Sequence, residues 1–486
     1  VSQPYVHVNE IDGALGTLPA GQQITAFVGP ADSGTADLPA AFARSKDVVA
    51  YLVGGPLCEV AAAYIEKYQR PCVVVPTGKT VAGLPGTAVF TGTGTSVVTT
   101  DGVPNDDYEV IFRVVAGGTL GVAGITFDYS LDGGNNYSAV IALGTALTYD
   151  FPSAGTFNLD FAAGTLVAGD KVTCRTAAPC WNGTELGTAL AGLIASTIDW
   201  REVHVVGPID ATAFDAIETK MGTLDSAGRP KAWIGNTRTP NLGESEAAYL
   251  AALATIFTTK ATKYGMLCAG ACDHTSGVSG RKYRRPASWP IGHIQASVKE
   301  HINVADVNLN TLPGVSIRDA NGNPDHHDET LNPGLDDARF TVLRTWEGLA
   351  GVFVNRPRLL STLGSDFYIM PYRLVMNRAR VAARLYLIRR LNKPLLVSKT
   401  TGFILETEAL EIEAGIDRAI ADAIMAEPMA SGGGFPGGKF ASLSRTDNIL
   451  STKKLTGQGR IIPLAYPEFI DFDLGFSSPA LQVQAV

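Results

Sequence analysis

The sequence predicts an α/β core of mixed sheet with flanking helices, an all-β sandwich inserted in it, a C-terminal α+β region, and an extended arm at each end. Three patterns predict this. Apolar strands alternate with amphipathic helices on both sides of a long segment, that segment itself switches to a period of two, and each chain end alternates with no nearby strand to pair with.

The first 16 residues, with Pro4 and alternating Tyr5, Val6, His7 and Val8, read as an arm. A β-α-β unit follows. It comprises a short strand around QITAFVGP, a helical stretch from Leu38 to about Tyr68 broken at Gly54 to Pro56, and the strand CVVVP, whose apolar run suits a sheet covered on both faces. From Pro85 to Cys180 the pattern is hairpin chemistry. Tyr108, Val110, Phe112 and Val114 alternate with Glu109, Ile111 and Arg113, and Ile125 to Leu131 runs into the turn DGGNN. Short runs such as FNLDF and DKVTC complete a small antiparallel sandwich. Strand and helix then alternate again, in ELGTALAGLIAST, REVHVVGP, TAFDAIETKM, KAWIG, SEAAYLAALATIFTTKA and YGMLCAGA.

The expected domains are therefore an arm at 1–16, an α/β domain over 17–84 and 184–305, an inserted sandwich at 85–183, a C-terminal domain at 306–476 and an arm at 477–486. Two long helices stand in the C-terminal domain. Tyr372 to Leu391 carries six arginines, including Arg373, Arg380 and Arg384, and no acid. Glu406 to Glu427 repeats Ile412, Ile416, Ile420 and Ile424 every fourth residue beside acids that include Glu406, Glu413 and Asp417. A glycine-rich stretch, SGGGFPGGK, reads as flexible. Beyond it a closing strand is expected, with Ile470, Phe472, Leu474 and Phe476 alternating against Asp471, Asp473 and Gly475, and LQVQAV forms a last unpaired strand.

Lys and Arg number 39 against 47 Asp and Glu, a net charge of -8 that argues against a sequence-blind grip on nucleic acid or anionic lipid. Pro85 to Asp170 contains one basic residue, Arg113, and enough acids to carry that whole charge, which marks the segment off from its surroundings. The six cysteines are scattered, so no disulfide scaffold is expected. The start lacks the basic and apolar regions of a secretory leader, and no run is long enough to span a bilayer, so synthesis in a cytoplasm without membrane insertion is expected.

Candidate chemistry is sparse. PTGKT at Pro76 to Thr80 ends like a phosphate-binding loop, but Val73 stands where that loop needs glycine and VAGLPG follows where a helix must begin. Asp325, His326, His327, Asp328 and Glu329 form the densest set of metal-capable groups. They would suit a metal-dependent hydrolase if a loop folded them inward, and a solvated turn otherwise. Cys268, Cys272 and His274 lack a fourth zinc ligand nearby, and His204 lies in an apolar strand. No catalytic residue, metal or cofactor is expected. The two tails carry more information, because an alternating strand without a hairpin partner leaves its N–H and C=O groups unpaired until another chain supplies the ladder.

Three stretches resemble the tail sheath proteins of contractile bacteriophages and related injection machines: Asp306 to Ser361, GSDFYIMPYRLVMNRARVAARLYL after it, and RTDNILSTKKLTGQGRIIPLAYPEFIDFDLGF from Arg445 to Phe476. The resemblance implies a structural subunit and no enzyme. Such subunits stack as six-membered rings around a tail tube, with the inserted domain outside, and their tails meet baseplate and terminator proteins at the ends. It further implies a virion tail assembled in the host cytoplasm, without direct contact to nucleic acid or membrane. By the same resemblance Tyr5, Val6, Val8, Leu481 and Val483 join sheets in neighbouring subunits. Arg373, Arg380, Arg384, Glu406, Glu413 and Asp417 become candidates for tube or inter-subunit contact. A non-contractile tail or baseplate protein is the alternative within the same class.

Overall fold

The computed structural model describes residues 24–308, 311–312, 314–317 and 334–476, and the chain divides into two units, Val1–Leu385 and Tyr386–Val486. In the first unit a six-stranded sheet runs in the order Gly265–Cys268, Ala232–Asn236, Trp200–Pro208, Ile24–Pro30, Cys72–Thr77, Ala40–Phe42. Every pairing is parallel except the last. Because crossover helices cover both faces, Ile24–Pro30 and Cys72–Thr77 are buried along their whole length.

The pleat sorts their side chains. Ala26, Val28, Val73 and Val75 pack with Leu186, Leu190, Phe214 and Leu253 from helices Gly183–Ala195, Ala211–Ser226 and Glu246–Phe257. Phe27, Cys72 and Val74 pack on the other side with Leu57, Val60 and Trp289 from helices Pro56–Tyr68 and Ser288–Ser297. Local chemistry starts these helices. Asn182 and Glu185 form a reciprocal capping box, Asp210 accepts from the Ala213 N–H at 2.8 Å, and Pro56 occupies the first turn after Gly55 at φ +90°.

The expected helix from Leu38 is replaced at its start by the strand Ala40–Phe42, which adds antiparallel to the sheet edge. Helix begins only at Ser45, and the break before Pro56 is present. A three-residue strand has no periodicity to read, so its state is set by the edge it meets.

Between Thr77 and Gly183 the strands are antiparallel. Val89–Thr91, Lys171–Arg175, Glu109–Ala116, Thr126–Ser130 and Ile141–Ala142 form one sheet; Thr148–Asp150, Asn158–Phe161 and Val98–Asp101 form another. They enclose an aromatic core of their own, with Phe112 stacked on Phe127 at 4.3 Å and Phe151 on Phe157 at 5.0 Å. Arg285 ties this region to the parallel sheet's helices. Its guanidinium, 1% exposed, bonds Glu59 at 2.6 Å, Asp106 at 2.8 Å and the Asp107 carbonyl at 2.6 Å.

The first unit ends with the hairpin Leu343–Trp346 and Leu349–Val354 and most of the arginine-rich helix, Met370–Ile388. In the second unit, helix Glu406–Ile424 buries Ile412, Ile416, Ile420 and Ile424, the stripe its fourfold spacing predicts. Two small hairpins follow, Ala430–Gly433 with Ile461–Pro463 and Ala441–Leu443 with Gly457–Gly459. The expectation of a flexible SGGGFPGGK is corrected here. Part of it is the first of these strands and part a 3-10 turn at Pro436–Gly438, where Gly437 supplies φ +76°.

Candidate functional site

The chemistry-bearing motifs resolve into structural roles where they can be seen. Lys79 pairs with Asp32 at 2.7 Å and Thr80 bonds Glu185 at 3.1 Å, so the PTGKT segment is engaged with the chain itself. Cys268, Cys272 and His274 are buried, and burial pushes both thiols up and holds the His274 imidazole down at about 3. Among the described residues no group of three or more His, Cys, Asp or Glu could hold a metal ion. Asp325 to Glu329 lie outside the described residues, as do the arm positions Tyr5, Val6, Val8, Leu481 and Val483. No helix among the described residues is long and apolar enough to cross a membrane.

The charged contact candidates are placed less simply than a surface reading expects. Arg373 is 1% exposed in the single chain. Its guanidinium reaches Asp225 at 3.3 Å and lies over the rings of Tyr264 and Phe367 at 4.7 and 5.5 Å. Arg380 converges on the same carboxylate. Burial works to raise Asp225, but Arg380 and Arg373 outweigh it and hold the carboxyl below its ordinary range. Asp225 was not distinguished by sequence, since it lies 148 residues from Arg373. It anchors the arginine-rich helix where that helix leaves the core. Arg384 is exposed and has no carboxylate partner among the described residues. It packs over Gly228, which at φ +71° has no side chain to obstruct it.

In the second unit the three acidic candidates are likewise committed within the chain. Arg445 donates to Glu406 at 2.6 Å and to Glu413 at 2.7 Å, and Glu413 also accepts the Leu443 N–H at 2.7 Å. Asp417 accepts the N–H groups of Phe440 and Ala441, both at 2.8 Å. The acidic helix thereby holds the Ala441–Leu443 hairpin, while the Glu406 side chain stays 62% exposed. Hydrogen bonding from Arg445 keeps Glu413 below the ordinary carboxylate range. Replacing Arg445 by Met leaves that carboxylate, 5% exposed, without its cation. The expected loss is about 1–3 kcal/mol of stability in urea unfolding of the full chain. A change within about 0.5 kcal/mol, the usual range for surface substitutions, would show that Arg445 does not secure the hairpin.

The closing segment differs from expectation in the most informative way. No strand forms over Ile470 to Phe476 in the single chain, and the four alternating apolar side chains are exposed: Ile470 79%, Phe472 80%, Leu474 88% and Phe476 fully. Phe469 is also 80% exposed. A strand needs a ladder partner, and among the described residues none pairs with this segment. Burying one such side chain is worth about 1.5–3 kcal/mol, so a run of them left in water is an apolar patch of the kind that contact surfaces carry.

Residues 3–358 match the family described as DUF2586, N-terminal domain. No curated protein sequence matches the chain. Two solved structures have the same fold over nearly the full length. The helical sheath of the anti-feeding prophage in its contracted state is 12% identical, with a TM-score of 0.53, covering 98% of this chain and 100% of that one. The sheath complex of the extracellular contractile injection system PVC, also contracted, is 11% identical with a TM-score of 0.53, covering 99% of each. A match over this much of its length makes the chain a member of the DUF2586 family, and its fold is that of contractile-sheath subunits.

Proposed function

We propose that this protein is a structural, non-enzymatic subunit of a contractile tail sheath. It polymerises as stacked six-fold rings around a tail tube and shortens to drive the tube through a host envelope. The observation that carries this reading is the exposed, alternating apolar segment from Phe469 to Phe476, in a chain that shares its fold with sheath subunits along nearly its whole length. Such a segment is built to become a strand in a neighbour's sheet. A donated strand is a heterologous contact, which closes into rings or grows into a helix. The arm residues Tyr5, Val6 and Val8 at one end and Leu481 and Val483 at the other extend the same logic, with the sandwich at 85–183 as an outward-facing inserted domain.

Work in this scheme comes from packing. The extended array is metastable, and rotation of subunits repacks their interfaces at lower free energy, with no nucleotide involved. Arg373, Arg380, Arg384, Glu406, Glu413 and Asp417 are the candidates for contact with the tube or a neighbouring subunit; Arg384 is exposed without a carboxylate partner among the described residues, and the Arg380 and Glu406 side chains stay 40% and 62% exposed beside theirs. Negative-stain microscopy of the purified full chain tests the proposal, with tubes or stacked rings as the expected result. Deleting Ala480 to Val486 is expected to abolish them while leaving a folded monomer. A full chain that stays monomeric at high concentration, or tubes unaffected by the deletion, would remove the basis for strand donation.

A further inference from the structure

A cavity of about 550 Å³ opens at the carboxyl ends of the central parallel strands. The winding of the sheet reverses there. From Ile24–Pro30 the chain crosses one way to Cys72–Thr77, and later it returns on the opposite side to Trp200–Pro208 and then Ala232–Asn236. Crossovers that leave adjacent strands in opposite directions open a crevice between them, the place where open α/β sheets hold ligands. Pro30 and Pro208, the last residues of the two central strands, line this one. Leu242 and Trp289 add apolar wall, and Val89 lines it from the antiparallel region. The volume lies in the ordinary range for a small-molecule site.

Three guanidinium groups line the cavity, and two are neutralised in place. Arg238 pairs with both carboxylate oxygens of Glu244 at 2.6 and 2.7 Å, and Arg175 bonds Glu109 at 2.8 and 3.0 Å. Arg284 differs. It donates to the Pro240 carbonyl at 3.0 Å and has no ion-pair partner among the described residues. The cavity's own acid, Asp107, accepts the Ala178 N–H at 2.7 Å, and burial followed by the nearby Asp106 pushes its carboxyl up toward the neutral form. Burial and then Arg175 bring Arg284 down to about 10, against the opposing pull of Glu109 and Asp107. A crevice with apolar walls and one planar guanidinium that no carboxylate among the described residues pairs is suited to a carboxylate.

We propose that this crevice binds a small organic anion, an apolar body ended by a single carboxylate, with Arg284 as the cationic anchor. This assignment does not depend on the assembly reading above.

The probes are 2-naphthoate and its neutral counterpart 2-naphthamide, titrated into the full chain by isothermal calorimetry. The expected result is saturable one-to-one binding of naphthoate, about tenfold or more tighter than the amide, as a charge-assisted hydrogen bond provides. Arg284→Gln is expected to erase that preference and leave both probes at the amide's affinity, an effect that a merely structural role for Arg284 would not produce. Thr87→Trp, an exposed position on the cavity lining, is expected to weaken both probes without disturbing the core. The proposal is overturned if naphthoate does not bind saturably, if the amide binds equally well, if Arg284→Gln keeps the preference, or if Thr87→Trp leaves binding unchanged.

Discussion

Serine at Phe472, Leu474 and Phe476 together is expected to yield a chain that folds normally and no longer assembles. The three side chains are 80%, 88% and fully exposed, so their loss removes almost nothing from the monomer, and its melting temperature should stay close to that of the parent. In an assembled lattice the same side chains would be buried at about 1.5–3 kcal/mol each, roughly 5–9 kcal/mol per subunit. Each 1.4 kcal/mol is about a factor of ten in an association constant, so the expected weakening is more than about a thousandfold. Sedimentation velocity and electron microscopy on the same samples measure both halves of the expectation. A second variant separates strand pairing from nonspecific stickiness. In a strand, Asp471 and Asp473 face away from the apolar set, so serine at those two positions should leave assembly nearly intact. Assembly by the apolar triple variant at the parent's concentration, or equal damage from the aspartate pair, would remove the strand-donation argument.

The parts of the fold legible in the sequence are those set by local periodicity. The isoleucine stripe of helix Glu406–Ile424 and the apolar run of Cys72–Thr77 both read directly, because each repeats with the period of its element and faces one continuous core. What could not be read is which charged neighbours of a stripe are drawn inward. Arg373 adjoins the apolar residue Leu374 and is buried because Asp225, on a distant helix, meets it there. Glu413 and Asp417 adjoin Ile412 and Ile416, and tuck beneath the Ala441–Leu443 hairpin because its N–H groups need acceptors. The closing segment is the reverse case. Its alternation is plain, yet a strand there depends on a ladder that no strand among the described residues offers it.

Protonation of three buried histidines that no sequence pattern grouped is expected to contribute a loss of several kcal/mol in the first unit on acidification from pH 7.5 to 5. His204 on the strand Trp200–Pro208, His274 on the strand Ala271–Thr275 and His293 on the helix Ser288–Ser297 are 0%, 3% and 0% exposed and share one aromatic cluster. His293 lies 5.5 Å from His274 and 6.0 Å from Phe27, which lies 5.4 Å from His204. Each Nδ1 is buried without a partner, so nothing receives a second ring proton. The Nε2 atoms of His204 and His293 meet the Ser288 hydroxyl at 3.3 Å and the Val60 carbonyl at 3.0 Å. Lys67 from the Pro56–Tyr68 helix and Arg285 from the Lys282–Pro286 strand add positive charge nearby. Burial holds His204 and His274 at about 3, and burial with the neighbouring imidazoles holds His293 well below its ordinary value.

The native values lie below those of the unfolded chain, about 6.5, so the unfolded state takes up more protons as pH falls. Stability is therefore full above about 6.5 and lost below it, by about 2 kcal/mol at pH 5 for each of His204 and His274, with His293 acting in the same sense. Glu59, Asp107 and Glu218, raised chiefly by burial, act in the opposite sense. Asp225 and Glu413, held low by their arginines, lose stability only at lower pH, below about 4.5. The histidine share is isolated by comparing urea midpoints of the parent and of His204→Asn with His274→Asn at pH 7.5 and 5. The double variant starts less stable at pH 7.5, because two rings leave a packed cluster, but its loss on acidification should shrink by about 4 kcal/mol. An unchanged pH dependence in the double variant would mean that these imidazoles are not the groups that titrate. A reduced dependence would place the acid sensitivity of each subunit inside the cluster, independent of any contact between subunits.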